Sequence, residues 1–543
     1  MTGQDNLLDV RDLRIEGESG GCWREVVKGV SFRLDRGEVL GLIGESGAGK
    51  STIGLAALGY ARPGCRLSGG KVLFDGRDLL AMTESELRHL RGMRIAYVAQ
   101  SAAAFFNPAH RLVDQFIEVL AVHGFADRTA AAAKARDLYA RLGLPDPNGF
   151  GSRYPHQVSG GQLQRAMIAM AMAGDPDLLV FDEPTAALDV TTQVGVLAAV
   201  RRAVRDTKTA ALYITHDLAV AAQVADRIMV LRHGEAVEEG PTETLLGTPQ
   251  QDYTRRLLAA EPGRCPARAA GEILLEIDNL SVSYGARRVL HDISIRVPAG
   301  RTMAVVGESG SGKSTLARAI TGLLVPDAGT LRFAGASLAG AVGQRERETL
   351  RRIQLIHQMP DTALNPRQKV REILARPLSL YKGLNGTGAR EHIAELLEQV
   401  ELSEAIAERF PGELSGGQKQ RICIARAIAA DPELIICDEV TSGLDPLVAE
   451  GVLNLLARLQ TASGKTYLFI THDLKIVEAI ADEVVVMRAG AVVEQGRRDV
   501  VLPSPNSDYT ACLLASVPQM DSTWLDTVLG AADRRSHQTG DFS

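Results

Sequence analysis

One long phrase occurs twice in the chain. GESGAGKST runs from Gly44 to Thr52, and GESGSGKST runs from Gly307 to Thr315. Each follows a short apolar run, EVLGLIG or TMAVVG, and each leads into helically spaced apolar residues, STIGLAALG or STLARAITG. A buried strand that feeds a helix through a glycine loop is an α/β arrangement. Three more phrases are doubled: SGGQ at Ser159–Gln162 and Ser415–Gln418, an apolar run closing in Asp-Glu at Leu178–Glu183 and Leu434–Glu439, and ITHDL at Ile214–Leu218 and Ile470–Leu474. Lys50 to Lys313 is a step of 263 residues, and the later pairs are each 256 apart. The copies are therefore two whole domains rather than an array of short repeats. The expected boundaries are 7–262 for the first domain, 263–272 for a linker, 273–518 for the second domain and 519–543 for a tail. The stretch Pro262–Gly271 reads as a short surface connector. The polar tail shows no periodicity and is expected to be poorly ordered.

Composition narrows the class. With 45% hydrophobic residues in 543, the chain has material for more than one core, which excludes a disordered or fibrous protein. Sixty basic against 66 acidic residues give a net charge of -6, which disfavours broad nucleic-acid binding. No run of apolar residues is long enough to span a bilayer, and Met1–Val10 lacks the basic-then-apolar pattern of a signal peptide. A cytoplasmic protein is expected. The six cysteines, Cys22, Cys65, Cys265, Cys423, Cys437 and Cys512, form no C-x-x-C pair and read as reduced thiols. With Cys265 alone after the first domain and none after Cys512, no iron–sulfur cluster is expected.

Coarse patterning fits the α/β reading. LLVFD, LIICD, ALYIT and YLFIT read as buried parallel strands, and the Ala- and Leu-rich stretch between Gln100 and Val158 reads as a helical insertion. LLDVRDLRIEG and ILLEIDNLSVSYG alternate as a half-exposed antiparallel sheet does.

G-x-x-x-x-G-K-[ST] between strand and helix is a phosphate-binding loop. The residues expected to hold nucleotide are Gly44, Ser46, Gly47, Gly49, Lys50, Ser51 and Thr52, and in the second copy Gly307, Ser309, Gly310, Gly312, Lys313, Ser314 and Thr315. Their glycines let backbone N–H groups turn inward, and the helix N-terminus adds partial positive charge. Lys50 and Lys313 would reach the β- and γ-phosphates. Ser51 with Asp182, and Ser314 with Asp438, would hold Mg²⁺. The adjoining Glu183 and Glu439 are placed to accept a proton from the attacking water. Ser159 and Ser415 are good helix N-caps, and each Ser-Gly-Gly start is a candidate anion site.

The order phosphate loop, Gln, SGGQ, Asp-Glu, Leu-Asp, Ile-Thr-His resembles the nucleotide-binding domain of ABC ATPases, over about 500 of the 543 residues. The resemblance implies two tandem P-loop domains, each with a RecA-like α/β core, an antiparallel β subdomain and an α-helical subdomain. It implies ATP and Mg²⁺ as cofactors. It assigns Gln100 and Gln358 to the magnesium-contacting glutamine that responds to a membrane partner. Ser159, Gly160, Gly161 and Gln162, and Ser415, Gly416, Gly417 and Gln418, become the signature. Asp189 and Asp445 become the loop aspartates between domains, and His216 and His472 become the γ-phosphate-sensing, catalytic histidines. Tyr284 resembles the aromatic that stacks on adenine; in the first domain the register falls on Gly21, with Trp23 the nearest aromatic. In this family each ATP lies between one domain's phosphate loop and the other's signature, so two hydrolytic sites are implied.

Two further marks are similar to bacterial oligopeptide, dipeptide and nickel importer ATPases, especially the fused twin-domain members. One is Asn-Pro after each glutamine, Asn107-Pro108 and Asn365-Pro366. The other is P-x-x-x-Y-T-x-x-L-L, from Pro249 with Tyr253 and from Pro505 with Tyr509. Val158 before SGGQ and Val440 after Glu439 depart from the family pattern without removing a chemical group. The resemblance implies an ATP-hydrolysing subunit, peripheral on the cytoplasmic face of the cell membrane. Its partners would be two membrane permease subunits and an extracytoplasmic solute-binding protein, with no nucleic acid. A soluble twin-domain factor acting on ribosomes or nucleic acid is the alternative. Phe105, Phe106 and Leu364, in loops following the two glutamines, read as exposed apolar residues for permease docking.

Overall fold

The computed structural model describes residues 6–19, 21–186, 188–260, 263 and 271–539. Most of the expected linker, with Cys265, lies outside the described residues, as does Asp5 at the N-terminus. The chain forms two compact units, residues 1–259 with 518–543, and residues 260–517.

In the first unit a six-stranded sheet runs in the order Glu235–Pro241, Arg227–Arg232, Val39–Gly44, Ala210–Ile214, Leu178–Asp182, Ile95–Val98. All neighbours are parallel except the first pair, a hairpin. The strands LLVFD and AALYI are buried at every position, as strands covered on both faces must be. The second unit repeats this sheet with Ile353–Ile356, Leu434–Asp438, Thr466–Ile470, Thr302–Val306, Glu483–Arg488 and Ala491–Arg497. The predicted antiparallel layers are present. Asn6–Ser19 pairs with Cys22–Asp35 and Cys65–Phe74, and Ile273–Tyr284 pairs with Arg287–Pro298 and Ala328–Phe333. Their alternate residues, such as Leu8, Val10, Leu280 and Val282, point into cores that also hold the helices Lys50–Ala56 and Lys313–Ile320. The helical insertions contain Leu112–Val122 and Arg128–Arg141 in one unit, and Val370–Lys382 and Gly386–Gln399 in the other.

Two expectations are corrected. The tail does not lack periodic structure: Trp524–Thr539 is a helix, anchored on the first unit by buried Trp524 and Leu525. An apolar pair inside a polar segment suffices to seat it. Phe106 and Leu364 are not exposed either; they are 4% and 2% accessible, tucked under the turns Ala102–Phe105 and Pro360–Ala363. The exposed apolar residues of these segments are Phe105 and Met359, at 49% and 58%.

Candidate functional site

Each phosphate loop is shaped by what presses on it. A Cβ on Gly44 would lie 2.1 Å from the Leu231 carbonyl oxygen, and one on Gly307 would lie 2.1 Å from that of Met487. Side chains are excluded there by backbone, so the loop follows the adjacent strand closely. Lys50 and Lys313 stand at the first position of their helices and are 5% exposed. The Lys50 ammonium donates to the carbonyls of Gly44 (2.6 Å) and Glu45 (2.9 Å), and that of Lys313 donates to Gly307 and Glu308 (both 2.8 Å). The lysine thus bends back over its own loop, where a phosphate would sit. Thr52 and Thr315 follow in the same first turns, and Ser46, Gly47, Ser309 and Gly310 form the crowns of the loops.

The hydroxyl of Ser51 donates to Asp182 Oδ1 at 2.7 Å, and that of Ser314 to Asp438 Oδ1 at 3.0 Å. Hydroxyl and carboxylate together are hard oxygen donors, which fit Mg²⁺. Burial raises the Asp438 carboxyl above its ordinary range, and the neighbouring Glu439 charge adds to this against the Ser314 hydrogen bond. A divalent cation there would restore the charged form.

The next residue carries the strongest local constraint. Glu183 and Glu439 have left-handed backbones, with φ of 48° and 50°. For a residue with a Cβ this costs on the order of 1–3 kcal/mol. It is held by the strand beside it, because the Glu183 N–H donates to the Ile214 carbonyl and the Glu439 N–H to Ile470, both at 2.9 Å. The carboxylates point at matching partners. The Gln100 amide donates to Glu183 at 3.0 Å and the Gln358 amide to Glu439 at 2.5 Å. The rings of His216 and His472 lie 3.4 Å from the same carboxylates. Burial opposes both charges of each pair. Even so, His216, Lys50 and Gln100 together outweigh burial and hold Glu183 below its usual value, while Glu183 and Asp217 together hold His216 above its own. Glu439 and His472 behave alike. Lys50, Asp182, Glu183, Gln100 and His216 thus converge in one unit, and Lys313, Asp438, Glu439, Gln358 and His472 converge in the other.

SGGQ is a helix start in both units. The Ser159 hydroxyl accepts from the Gln162 N–H, and the Gln162 side chain accepts from the Ser159 N–H; Ser415 and Gln418 do the same. These capping boxes leave Gly160, Gly161, Gly416 and Gly417 in the first turn. The second glycine of each has no room for a side chain: a Cβ would meet Thr192 at 2.0 Å or Val448 at 2.5 Å. Asp189 and Asp445 cap the helices that do the pressing, accepting from the N–H groups of Thr192 and Val448 at 3.0 Å.

Tyr284 ends a strand at a hairpin tip, 45% exposed, and accepts from Arg318 at 3.3 Å. The matching registers Leu8–Phe74 and Leu275–Phe333 set these strands 275 − 8 = 267 residues apart, so the first unit's match to Tyr284 is Gly17 rather than Gly21. Trp23 instead lies under Arg66, whose guanidinium carbon is 4.3 Å from the ring centroid.

Sequence reasoning missed three contacts. The Tyr97 hydroxyl donates to Asp182 at 2.7 Å, and Arg62 lies 3.6 Å from the same carboxylate. Leu355 occupies the position of Tyr97 in the second unit's matching strand, so the surroundings of the two aspartates differ. Tyr509, of the P-x-x-x-Y-T-x-x-L-L mark, accepts from the Glu308 N–H in the second phosphate loop at 3.1 Å. No local pattern links these positions, and only the tertiary fold brings them together.

Comparison with known proteins gives the family of the chain. The family model "ABC transporter" matches residues 27–186 and 290–442, and the model "Oligopeptide/dipeptide transporter, C-terminal region" matches 493–540. The chain is 40% identical over 532 residues to the peptidoglycan transport ATP-binding protein YejF of Agrobacterium fabrum, spanning 95% of this chain and 97% of that protein. It is 38% identical over 563 residues to the glutathione import ATP-binding protein GsiA of Shigella dysenteriae, spanning 94% and 90%. A solved complex of an archaeal ribosomal stalk protein and the recycling factor aABCE1 shares the fold at 21% identity and a TM-score of 0.58, over 86% of this chain and 87% of the matched one.

The ion pairs give a prediction with a definite sign. A raised histidine value means that the pair's stabilisation is complete below the free imidazole value and is lost as pH rises through the folded one. In nitrogen-edited NMR of the ATP-free protein, His216 and His472 should titrate above about 6.5. Glu183→Gln should drop His216 below that value, because burial and the Lys50 charge, which both lower it, would then be opposed only by the Asp217 charge. A wild-type His216 titrating below about 6.5 would contradict the pairing.

Proposed function

The chain belongs to the ABC transporter family, and from that premise we propose that each unit holds Mg-ATP on the residues described and that hydrolysis drives import of a peptide-like solute through separate permease chains. It is an ATP-binding subunit of an importer and an ATPase. The observation that carries the site assignment is the convergence, in both units, of phosphate-loop lysine, paired acids, glutamine and histidine at nearly the same distances.

In this reading the loop N–H groups and Lys50 or Lys313 take the β- and γ-phosphates. Ser51, Asp182 and Gln100, with Ser314, Asp438 and Gln358, hold Mg²⁺, which supplies charge neutralisation on the phosphates. Glu183 or Glu439 accepts the proton of the water that attacks the γ-phosphorus, giving ADP and phosphate. Before ATP arrives, each glutamate is engaged by histidine and glutamine. A γ-phosphate competes for the histidine and so frees the base. The helix starts Ser159–Gln162 and Ser415–Gln418 are further phosphate-binding candidates.

The named relatives are ATP-binding proteins of peptidoglycan transport and of glutathione import, which favours peptide-like solutes over nickel. A ribosomal or nucleic-acid factor has only the fold in its favour. Among the described residues no helix is long and apolar enough to cross a membrane. The permease pair, the extracytoplasmic binding protein and a place on the cytoplasmic membrane face follow as proposals. A cleft of about 530 Å³ lined by Gln354, His357, Thr362, Arg376, Leu380 and Arg426 includes residues on both sides of Gln358 in sequence, which supports docking on this segment.

Glu183→Gln and Glu439→Gln should each slow hydrolysis at their own site by about 10²- to 10⁴-fold, with ATP binding retained. Phosphate release measured alongside nucleotide occupancy checks this; full activity in either single variant would make that site non-hydrolytic. Docking is tested with the exposed residues. Phe105→Asp or Met359→Asp should weaken association with the permease about tenfold or more, roughly 1.4 kcal/mol, at unchanged ATP affinity. Unchanged association would remove these segments from the docking surface.

A further inference from the structure

The segment after Pro518 is grouped with the first unit, although the chain reaches it only after completing the second. Its seat is built. The side chain of Gln223, 3% exposed on the helix Leu218–Val224, donates from Nε2 to the backbone carbonyls of Gln519 at 2.8 Å and Asp521 at 2.9 Å. Its Oε1 accepts from the Leu525 N–H at 3.2 Å. One buried amide therefore reads three backbone groups of the tail. Leu525 is fully buried and Trp524 is 7% exposed. Arg201, on the helix Val190–Arg205, pairs with Asp526 at 2.9 Å. Asp521 also caps the turn into the tail helix, accepting from the Thr523 N–H at 2.9 Å.

The seat belongs to one unit alone. At the 256-residue step of the repeat, Gln223 corresponds to Ala479 and Arg201 to Ala457, so the second unit lacks both polar anchors. The two seat helices also begin at site loops, one capped by Asp189 and the other by Asp217, next to His216.

We propose that residues 518–531 are a clasp: they dock in cis on the helices Val190–Arg205 and Leu218–Val224 of the first unit, so that the second unit, to which they are covalently joined, is held to the first by a non-covalent seat besides the linker. The tie acts through effective concentration. A tethered unit meets its partner at roughly millimolar local concentration, whatever the concentration of the chain.

The test is made on the full chain with a protease site inserted into 264–270. After cleavage without nucleotide, the two fragments should co-elute in size-exclusion chromatography at micromolar concentration. The same chain ending at Val517, or carrying Leu525→Asp, should release them as separate species, with at least a tenfold weaker association. Gln223→Ala should give an intermediate loss. Thermal melting and ATP binding before cleavage establish that each variant is folded. Separation of the fragments with the tail intact would overturn the clasp, as would co-elution that survives both tail changes.

Discussion

The site in each unit depends on one strained residue. A parallel strand ends in Asp-Glu, and the backbone turns left-handed at the glutamate. That turn sends the aspartate toward the phosphate-loop serine and the glutamate toward glutamine and histidine. A glutamate in ordinary extended geometry would follow the strand's alternation instead and lose one of these contacts. The strain persists because the central sheet over-determines the strand end through the bond to its neighbour. Charge pairing then poises the group. Histidine and lysine keep the carboxylate ionised in a buried place, which keeps it available as a base.

Packing sets the rest of the apparatus. The signature helix starts against the helix that follows Asp189 or Asp445, closely enough that only glycine fits at Gly161 and Gly417. The glutamine of SGGQ serves in each unit as the partner that closes the capping box, a local role that explains the spacing Ser-x-x-Gln. The tyrosine mark near each unit's end also gains a physical reading. Tyr253 and Tyr509 are buried, each beneath an arginine, Arg232 or Arg488, and Tyr509 reaches the phosphate loop.

Much of this was legible in the sequence because it is local. Glycine loops, capping serines and apolar strand runs depend on neighbours a few residues away, and duplication made each pattern visible twice. The antiparallel layers were legible from alternation, as at Leu8 and Val10. Exposure in loops was not: Phe106 and Leu364 look free in sequence, yet short helical turns fold them inward. The tail helix was missed because Trp524 and Leu525 show no period, and the Leu525 N–H finds its partner, Gln223, about 300 residues away. The Tyr97–Asp182 bond was missed because it rests on strand order. The last two features make the units unequal, although their chemical residues match.

The central claim is that both units are complete ATP sites. Equilibrium dialysis of the intact chain with Mg-ATP, with Lys50→Ala, Lys313→Ala and the double variant in parallel, tests it most directly. Two nucleotides per chain are expected, one in each single variant and none in the double. One nucleotide in the unaltered chain, or no loss on changing either lysine, would contradict it.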